Sequence, residues 1–231
     1  LQCNHNMIIH YFKQQSAEWE LERKNKITGS RAGEFKPKVR GSGFRAGFFE
    51  MLADDIDTEL HDMSPMDWGN ANEPKARQFY EELTGNKIVE VGLCIHDEFP
   101  FIAYSPDGMV EKKVGKKTTY PIGLEIKCPT TKTYVEYFLE TCVNGDTVNQ
   151  EQVGIDKVPS QYREQVIQSF VVNETQKEMH FLIYNPTLEK NNWIMITVYR
   201  DEVAEEAKDQ LEWLKQGYES YLKAKELFIN F

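Results

Sequence analysis

Apolar residues recur at three- and four-residue steps through Ala76, Phe79, Tyr80 and Leu83, ahead of Gly85. That periodicity predicts an amphipathic helix over about Asn72 to Thr84, with Pro74 in its first turn and the glycine as its stop. Phe48 to Ile56 shows the same spacing, and Val166, Ile167 and Phe170 make the apolar face of a helix that Ser160 caps and that runs through Val172. Strand-length runs lie at Lys87 to Cys94, Pro100 to Tyr104, Tyr120 to Cys128, Glu178 to Tyr184 and Trp193 to Tyr199. Lys112 to Lys117, with Gly115 inside, reads as a hairpin tip, and the last two strands pair around an Asn185-Pro186 turn. Ser16 caps an early helix with Glu18 and Glu20 in its first turn, and a polar, acid-rich helix closes the chain from Asp201. Helices, a strand cluster, a helix, two strands and a helix together predict an α/β or α+β fold: a mixed central β-sheet flanked by helices.

No internal repeat, low-complexity tract or Pro/Gly/Ser-rich linker divides the 231 residues, so a single domain over 1–231 is expected. Hydrophobic residues make up 40%, enough for a sizeable core, which excludes a disordered chain, and no apolar run reaches the length of a membrane span. Cys3, Cys94, Cys128 and Cys142 form no C-x-x-C, so neither a zinc ribbon nor a disulfide framework is indicated. With no secretory leader recognised, a cytoplasmic protein is expected. A net charge of −10 excludes coating of nucleic acid through global charge, so any such contact is local. One local basic stretch exists between Arg31 and Arg45, where Lys36, Lys38, Arg40 and Arg45 alternate with Gly33, Pro37, Gly41 and Gly43. It is a candidate DNA-contacting arm, since flexible cations beside glycine can follow phosphates. The acidic stretch around Asp54 to Asp62 reads as solvated surface.

Chemistry concentrates in two words, Ser105-Pro106-Asp107-Gly108 and Glu125-Ile126-Lys127. On a strand, side chains alternate faces, so Glu125 and Lys127 share one face while Leu124, Ile126 and Cys128 take the other. A hairpin joining the two elements brings the Asp107 carboxylate toward Glu125. Two carboxylates and the Ile126 carbonyl make a hard-oxygen site suited to Mg²⁺, with Mn²⁺ as a substitute, and leave positions for water and phosphate oxygens. Lys127 beside an attacking water would stabilise negative charge in phosphodiester hydrolysis. E-x-K alone is usually a surface ion pair. Here it lies in an apolar strand closed by Pro129, where two charges without a function are costly. The five histidines show no ligand spacing, so a zinc site or a histidine nucleophile is not expected.

Ser-Pro-Asp-Gly followed by Gly-Leu-Glu-Ile-Lys-Cys-Pro (Gly123 to Pro129) resembles the PD-(D/E)XK nucleases, in particular the lambda-exonuclease branch of viral recombination nucleases. Trp19 to Ser30, Trp68-Gly69 with Glu73, Tyr162-x-x-Gln165 and Tyr184-Asn185-Pro186 resemble further patches of that branch, in order. The resemblance implies a restriction-endonuclease-like core in which Asp107, Glu125 and the Ile126 carbonyl hold the metal, Glu73 supports a second ion and Lys127 acts on the nucleophile. It further implies degradation of one strand of duplex DNA from a 5′ end, leaving 3′ single-stranded overhangs for homologous recombination. A pocket for the terminal 5′-phosphate would include Arg23, Ser30 and Ser105, with Tyr162 and Gln165 positioning substrate. Where the branch has an arginine shortly after Cys-Pro, this chain has Thr133, and Lys132 offers the nearby positive charge. Double-stranded DNA ends, a single-strand annealing protein and a homotrimeric ring are the implied partners, in a phage or prophage protein of a bacterial host. The rival readings are another nuclease of the superfamily, an endonuclease or RecB-like, and a non-catalytic DNA-end-binding scaffold. The intact Asp107, Glu125 and Lys127 count against the scaffold.

Overall fold

A computed structural model of the chain describes residues 2–4, 7–24, 26–36, 67–129 and 131–230. In order its elements are β1 (Gln2–Asn4), β2 (Met7–His10), α1 (Ala17–Arg23), the single turn α2 (Gly29–Ala32), α3 (Asp67–Thr84), β3 (Ile88–Val89), β4 (Leu93–His96), β5 (Ala103–Tyr104), β6 (Gly108–Val114) and β7 (Lys117–Lys127). There follow α4 (Thr131–Cys142), the small hairpin β8 (Val143–Asn144) and β9 (Thr147–Val148), then β10 (Glu151–Val153), α5 (Arg163–Val172), β11 (Glu178–Tyr184), β12 (Trp193–Tyr199) and α6 (Ala204–Asn230). The main sheet has six strands in the order β10-β12-β11-β7-β6-β3, with β11 parallel to β7 and β6 antiparallel to it. A smaller antiparallel sheet runs β1-β2-β4-β5. This is the mixed central sheet flanked by helices that the patterning predicts.

The two faces of the main sheet carry different apolar sets, as strict alternation requires. Leu124, Ile126, Leu182 and Met195 point to α3, where Ala76 and Tyr80 meet them. Phe181, Ile183, Ile194, Ile196 and Val198 point to the other side, where α5 supplies Val166, Ile167 and Phe170 and α6 supplies Leu214 and Tyr221. Fully burying one such side chain contributes about 1.5–3 kcal/mol, so all three helices are firmly seated. Glu125 and Lys127 lie on the α5 face, beside Phe181 and Ile183 of β11.

Several boundaries differ from the sequence reading. Helix α3 begins at Asp67, which puts Pro74 inside it rather than in its first turn. One hydrogen bond is lost at the proline, and the packing of Ala76 and Tyr80 offsets it. The run from Lys87 to Cys94 splits into β3 and β4, because Gly92 turns the chain from one sheet to the other. Gly92 donates to the His10 carbonyl at 2.7 Å, and a Cβ on it would stand 2.5 Å from Phe12. Of Pro100 to Tyr104 only Ala103 and Tyr104 form a strand, since Ile102 donates to Phe99 in a turn. Ser160 opens a 3-10 turn, Ser160–Tyr162, and the α-helix starts at Arg163. The final helix starts at Ala204, after a 3-10 turn at Arg200–Glu202. By contrast, Ser16 caps α1 by accepting from the Trp19 N–H at 3.3 Å. Gly115, at φ +63°, makes the two-residue tip between Val114 and Lys117. The helix expected at Phe48 to Ile56, the acidic stretch and most of the basic loop lie outside the described residues. Among the described residues, no helix is long and apolar enough to cross a membrane.

Candidate active site

The β6/β7 register builds the first half of the site. Gly108 pairs with Leu124, so Asp107, one residue before β6, stands across from Glu125. Its N–H donates to the Leu124 carbonyl at 3.0 Å, and its Oδ2 accepts from the Ile126 N–H at 2.7 Å. Gly108 is required beside it: a Cβ there would lie 2.5 Å from Ile88 Cγ2. Glu125 is only 3% exposed and turns toward α5, where its Oε1 accepts from Gln165 Nε2 and, at 2.5 Å, from Lys127 Nζ. The Lys127 ammonium also stands 5.0 Å above the Tyr162 ring. Glu73 arrives from α3, and its Oε1 accepts from Arg77 Nη2 at 2.6 Å while Arg77 Nε donates to the Asp107 carbonyl at 2.9 Å. Asp107, Glu125, Lys127, Tyr162 and Gln165 are thus brought together, and Glu73 joins them through Arg77.

Burial and mutual repulsion set the protonation of this group. Burial, with the negative charges of Asp107 and Glu73 added, pushes Glu125 up to about 7 against the pull of Lys127. Glu73 is likewise pushed up to about 7, by burial and then by Asp107, with Arg77 and Lys127 opposing. Burial raises Asp107 as well, although Lys127, the Ile126 N–H and Arg77 counteract it. Burial alone would lower Lys127, but Glu125 and Asp107 outweigh it and hold the ammonium charged. Carboxylates that raise one another are a donor set that a divalent cation relieves. In donor chemistry Asp107, Glu125 and the Ile126 carbonyl therefore fit Mg²⁺ or Mn²⁺. Among the described residues no three His, Cys, Asp or Glu side chains are grouped as a ready metal cage, and Glu73 is turned to Arg77 instead.

A second cluster lies beside the first. Arg23, on the last turn of α1, donates through Nη1 to Ser105 Oγ at 2.8 Å and through Nη2 to Thr28 Oγ1 at 3.1 Å and Ser30 Oγ at 3.4 Å. Its guanidinium lies 4.2 Å over the Trp19 ring, and Trp19 Nε1 donates to Ser105 Oγ at 3.2 Å and to the Gly92 carbonyl at 2.9 Å. Burial, with the charge of Arg31, lowers Arg23 to about 10, while Glu125 pulls it back up. Two backbone segments carry these hydroxyls, and Gln168 ties them by donating to the carbonyls of Ile27 at 3.0 Å and Ala103 at 3.3 Å. Gly29 lets α2 close on α5, since a Cβ there would stand 3.1 Å from Gln165 Cγ. Arg23, Ser30 and Ser105 lie together in this cluster. Lys132 is the second residue of α4, its side chain outside the described set, and Lys38 and Arg40 lie outside it altogether.

Sequence reasoning gave three contributors no role of their own in the site. Arg77 sits four residues after Glu73, a spacing that places both on one helical stripe and could have revealed it. Thr28 accepts from Arg23 across a non-helical turn that no periodicity marks, and Gln168 carries no such signal because it acts on segments distant in sequence.

The mixed sheet and its flanking helices form a fold that solved exonucleases share. The chain is similar to an alkaline exonuclease (LHK-Exo) from Laribacter hongkongensis, with a TM-score of 0.68 at 22% identity over 93% of this chain and 99% of that one. It is similar to LHK-Exo in complex with dAMP, with a TM-score of 0.69 at 22% identity over the same shares of the two chains. A phage related exonuclease from Haemophilus somnus 129PT gives a TM-score of 0.54 at 11% identity, over 86% of this chain and 96% of that one. At these identities the likeness is one of fold. No curated protein sequence matches. The YqaJ-like viral recombinase domain matches residues 18–177, and the chain belongs to that family. The expected kinship with phage-type recombination nucleases is met by that family and this fold.

Proposed function

We propose that this chain is a Mg²⁺-dependent 5′-to-3′ exonuclease of double-stranded DNA that leaves 3′ overhangs for phage-type recombination. One observation carries the reading: Glu125, buried on the face of β7 toward α5, shares its oxygen with Lys127 and Gln165 across from Asp107. Such a costly group in an apolar sheet calls for a function. The solved relatives named as exonucleases and the viral recombinase family support the same direction.

Asp107, Glu125 and the Ile126 carbonyl would hold the ion, with Glu73 in support. When bound, the ion polarises the scissile phosphoryl group, lowers the pKa of water and orients the attack. The chain's own residues do the rest. Lys127, kept charged by Glu125 and Asp107, hydrogen-bonds the attacking water and stabilises negative charge gathering on the phosphoryl oxygens. Tyr162 supports the ammonium from below, and Gln165 fixes the Glu125 rotamer. Arg23 with Thr28, Ser30 and Ser105 receives a terminal phosphate: a planar cation and three hydroxyls suit its oxygens. A ring of three subunits around the duplex and an annealing protein that takes up the overhang complete the proposal, with action in the cytoplasm of a phage-bearing bacterium.

The decisive assay incubates the protein with linear duplexes bearing 5′-phosphate or 5′-hydroxyl and with closed circles, in Mg²⁺ or EDTA. Loss of one strand from 5′-phosphorylated ends in Mg²⁺ alone is expected. Cutting of circles would show an endonuclease, and end-binding without cutting would show a scaffold.

A further inference from the structure

Arg77 stands one turn beyond Glu73 on α3, its side chain only 14% exposed, and every arm of its guanidinium has an acceptor. Nε donates to the Asp107 carbonyl at 2.9 Å, Nη2 to Glu73 Oε1 at 2.6 Å, and Nη1 pairs with Glu90 Oε2 at 3.2 Å. Asp107 is consequently gripped at three points: its N–H by Leu124, its carboxylate by the Ile126 N–H and its carbonyl by Arg77. The peptide that carries this carboxylate cannot turn without breaking one of them. Helix α3 is itself anchored, since Ala76 and Tyr80 are buried against Leu124 and Ile126 of β7.

We propose that Arg77 is a positioning residue: its guanidinium fork sets Asp107, on the sheet, and Glu73, on the helix, in the relative arrangement that a divalent cation needs. The inference rests on the nuclease reading of this site and adds a residue to it. A guanidinium offers several N–H donors in a rigid plane and can hold a carbonyl and two carboxylates in one geometry. An ammonium on a flexible stem brings the same charge without that geometry, so charge and fork are separable by substitution. Groups behind the ligands of a metal site typically govern its affinity by 10- to 100-fold.

The test uses the full chain, Mn²⁺ alone as the calorimetric probe, and the variants Arg77→Met, Arg77→Lys and Glu90→Gln, with a melting curve for each. Both Arg77 variants are expected to bind Mn²⁺ on the order of 10- to 100-fold more weakly. Their kcat on duplex ends should fall while KM for DNA stays within about twofold, because the residue touches ligands and not substrate. Glu90→Gln should match wild type, since the Glu90 side chain is 71% exposed. Wild-type Mn²⁺ affinity in Arg77→Met, or full recovery in Arg77→Lys, overturns the proposal, the second by showing that charge alone suffices. If Arg77→Met does not fold, Arg77→Lys decides. A wild type that binds Mn²⁺ yet cuts no DNA defeats the nuclease reading and leaves the calorimetry to judge Arg77. A wild type that binds no Mn²⁺ overturns the positioning role.

Discussion

The carboxylate cluster and the arginine cradle solve opposite electrostatic problems with opposite scaffolds. The cluster sets Asp107 and Glu125 beside the Lys127 ammonium on two paired strands and ties Glu73 on a long helix to them through Arg77, three carboxylates to two cations in a largely buried place. The cradle spreads one guanidinium over three hydroxyls on a helix end, a single turn and a loop, an excess of positive charge among neutral acceptors. In charge, the first suits a cation and the second an anion. On the proposed function, a phosphate chain threaded past both would meet its ester at one and its terminus at the other.

This division of labour can be broken in either half. The largest effect is expected from Lys127→Ala, which should lower kcat on the order of 100- to 1,000-fold while leaving affinity for duplex ends nearly intact, measured by single-turnover cleavage beside a binding titration. Turnover near wild type would remove Lys127 from the chemistry. Arg23→Ala should cost about 10- to 100-fold in kcat/KM on 5′-phosphorylated ends and little on 5′-hydroxyl ends, as loss of hydrogen bonds to a charged partner implies. Equal losses on both substrates would mean that the cradle does not sense the phosphate.

A third effect concerns stability. Glu125 and Glu73 hold their protons to about 7 in the folded chain, above the ordinary glutamate range. Between that range and about 7 the native state binds more protons than the unfolded one, so stability in EDTA should fall as pH rises through the window. Added Mg²⁺ should reverse the loss, and Glu125→Gln should flatten the profile. A metal-free Tm that climbs from pH 5 to 8 would contradict the electrostatics of the cluster. The smallest effect belongs to Trp19→Phe, which removes the indole donor to Ser105 and Gly92 and should cost about 1 kcal/mol in denaturant unfolding, with modest loss of 5′-phosphate preference.

The same contrast explains what was legible beforehand. Asp107, Glu125 and Lys127 lie on adjacent strands joined by a two-residue turn, so alternation and a hairpin suffice to bring them together. Arg23, Ser30 and Ser105 converge only through the Ile27 to Ile102 bridge and the donations of Gln168. No local pattern announces those, and a family resemblance had to supply the grouping. Helix boundaries slipped where tertiary contacts overrode local signals. Ser160 looks like a cap, yet the chain tightens into a 3-10 turn until Arg163, whose guanidinium is tied to the Val158 and Asp156 carbonyls. Pro74 looks like a helix start, yet seven residues precede it in α3.

The bend at Gly92 serves both clusters at once. Just before it, β3 lies against the strand that Asp107 leads into; its own carbonyl receives the indole that underlies Arg23. The few residues between Val89 and Leu93 therefore join the strand beside Asp107 to the backbone that supports Arg23, at a set length. Adding or removing one residue there would shift the two clusters relative to each other and not merely a loop, so this short turn should tolerate length change less than its place between an edge strand and an inner strand suggests.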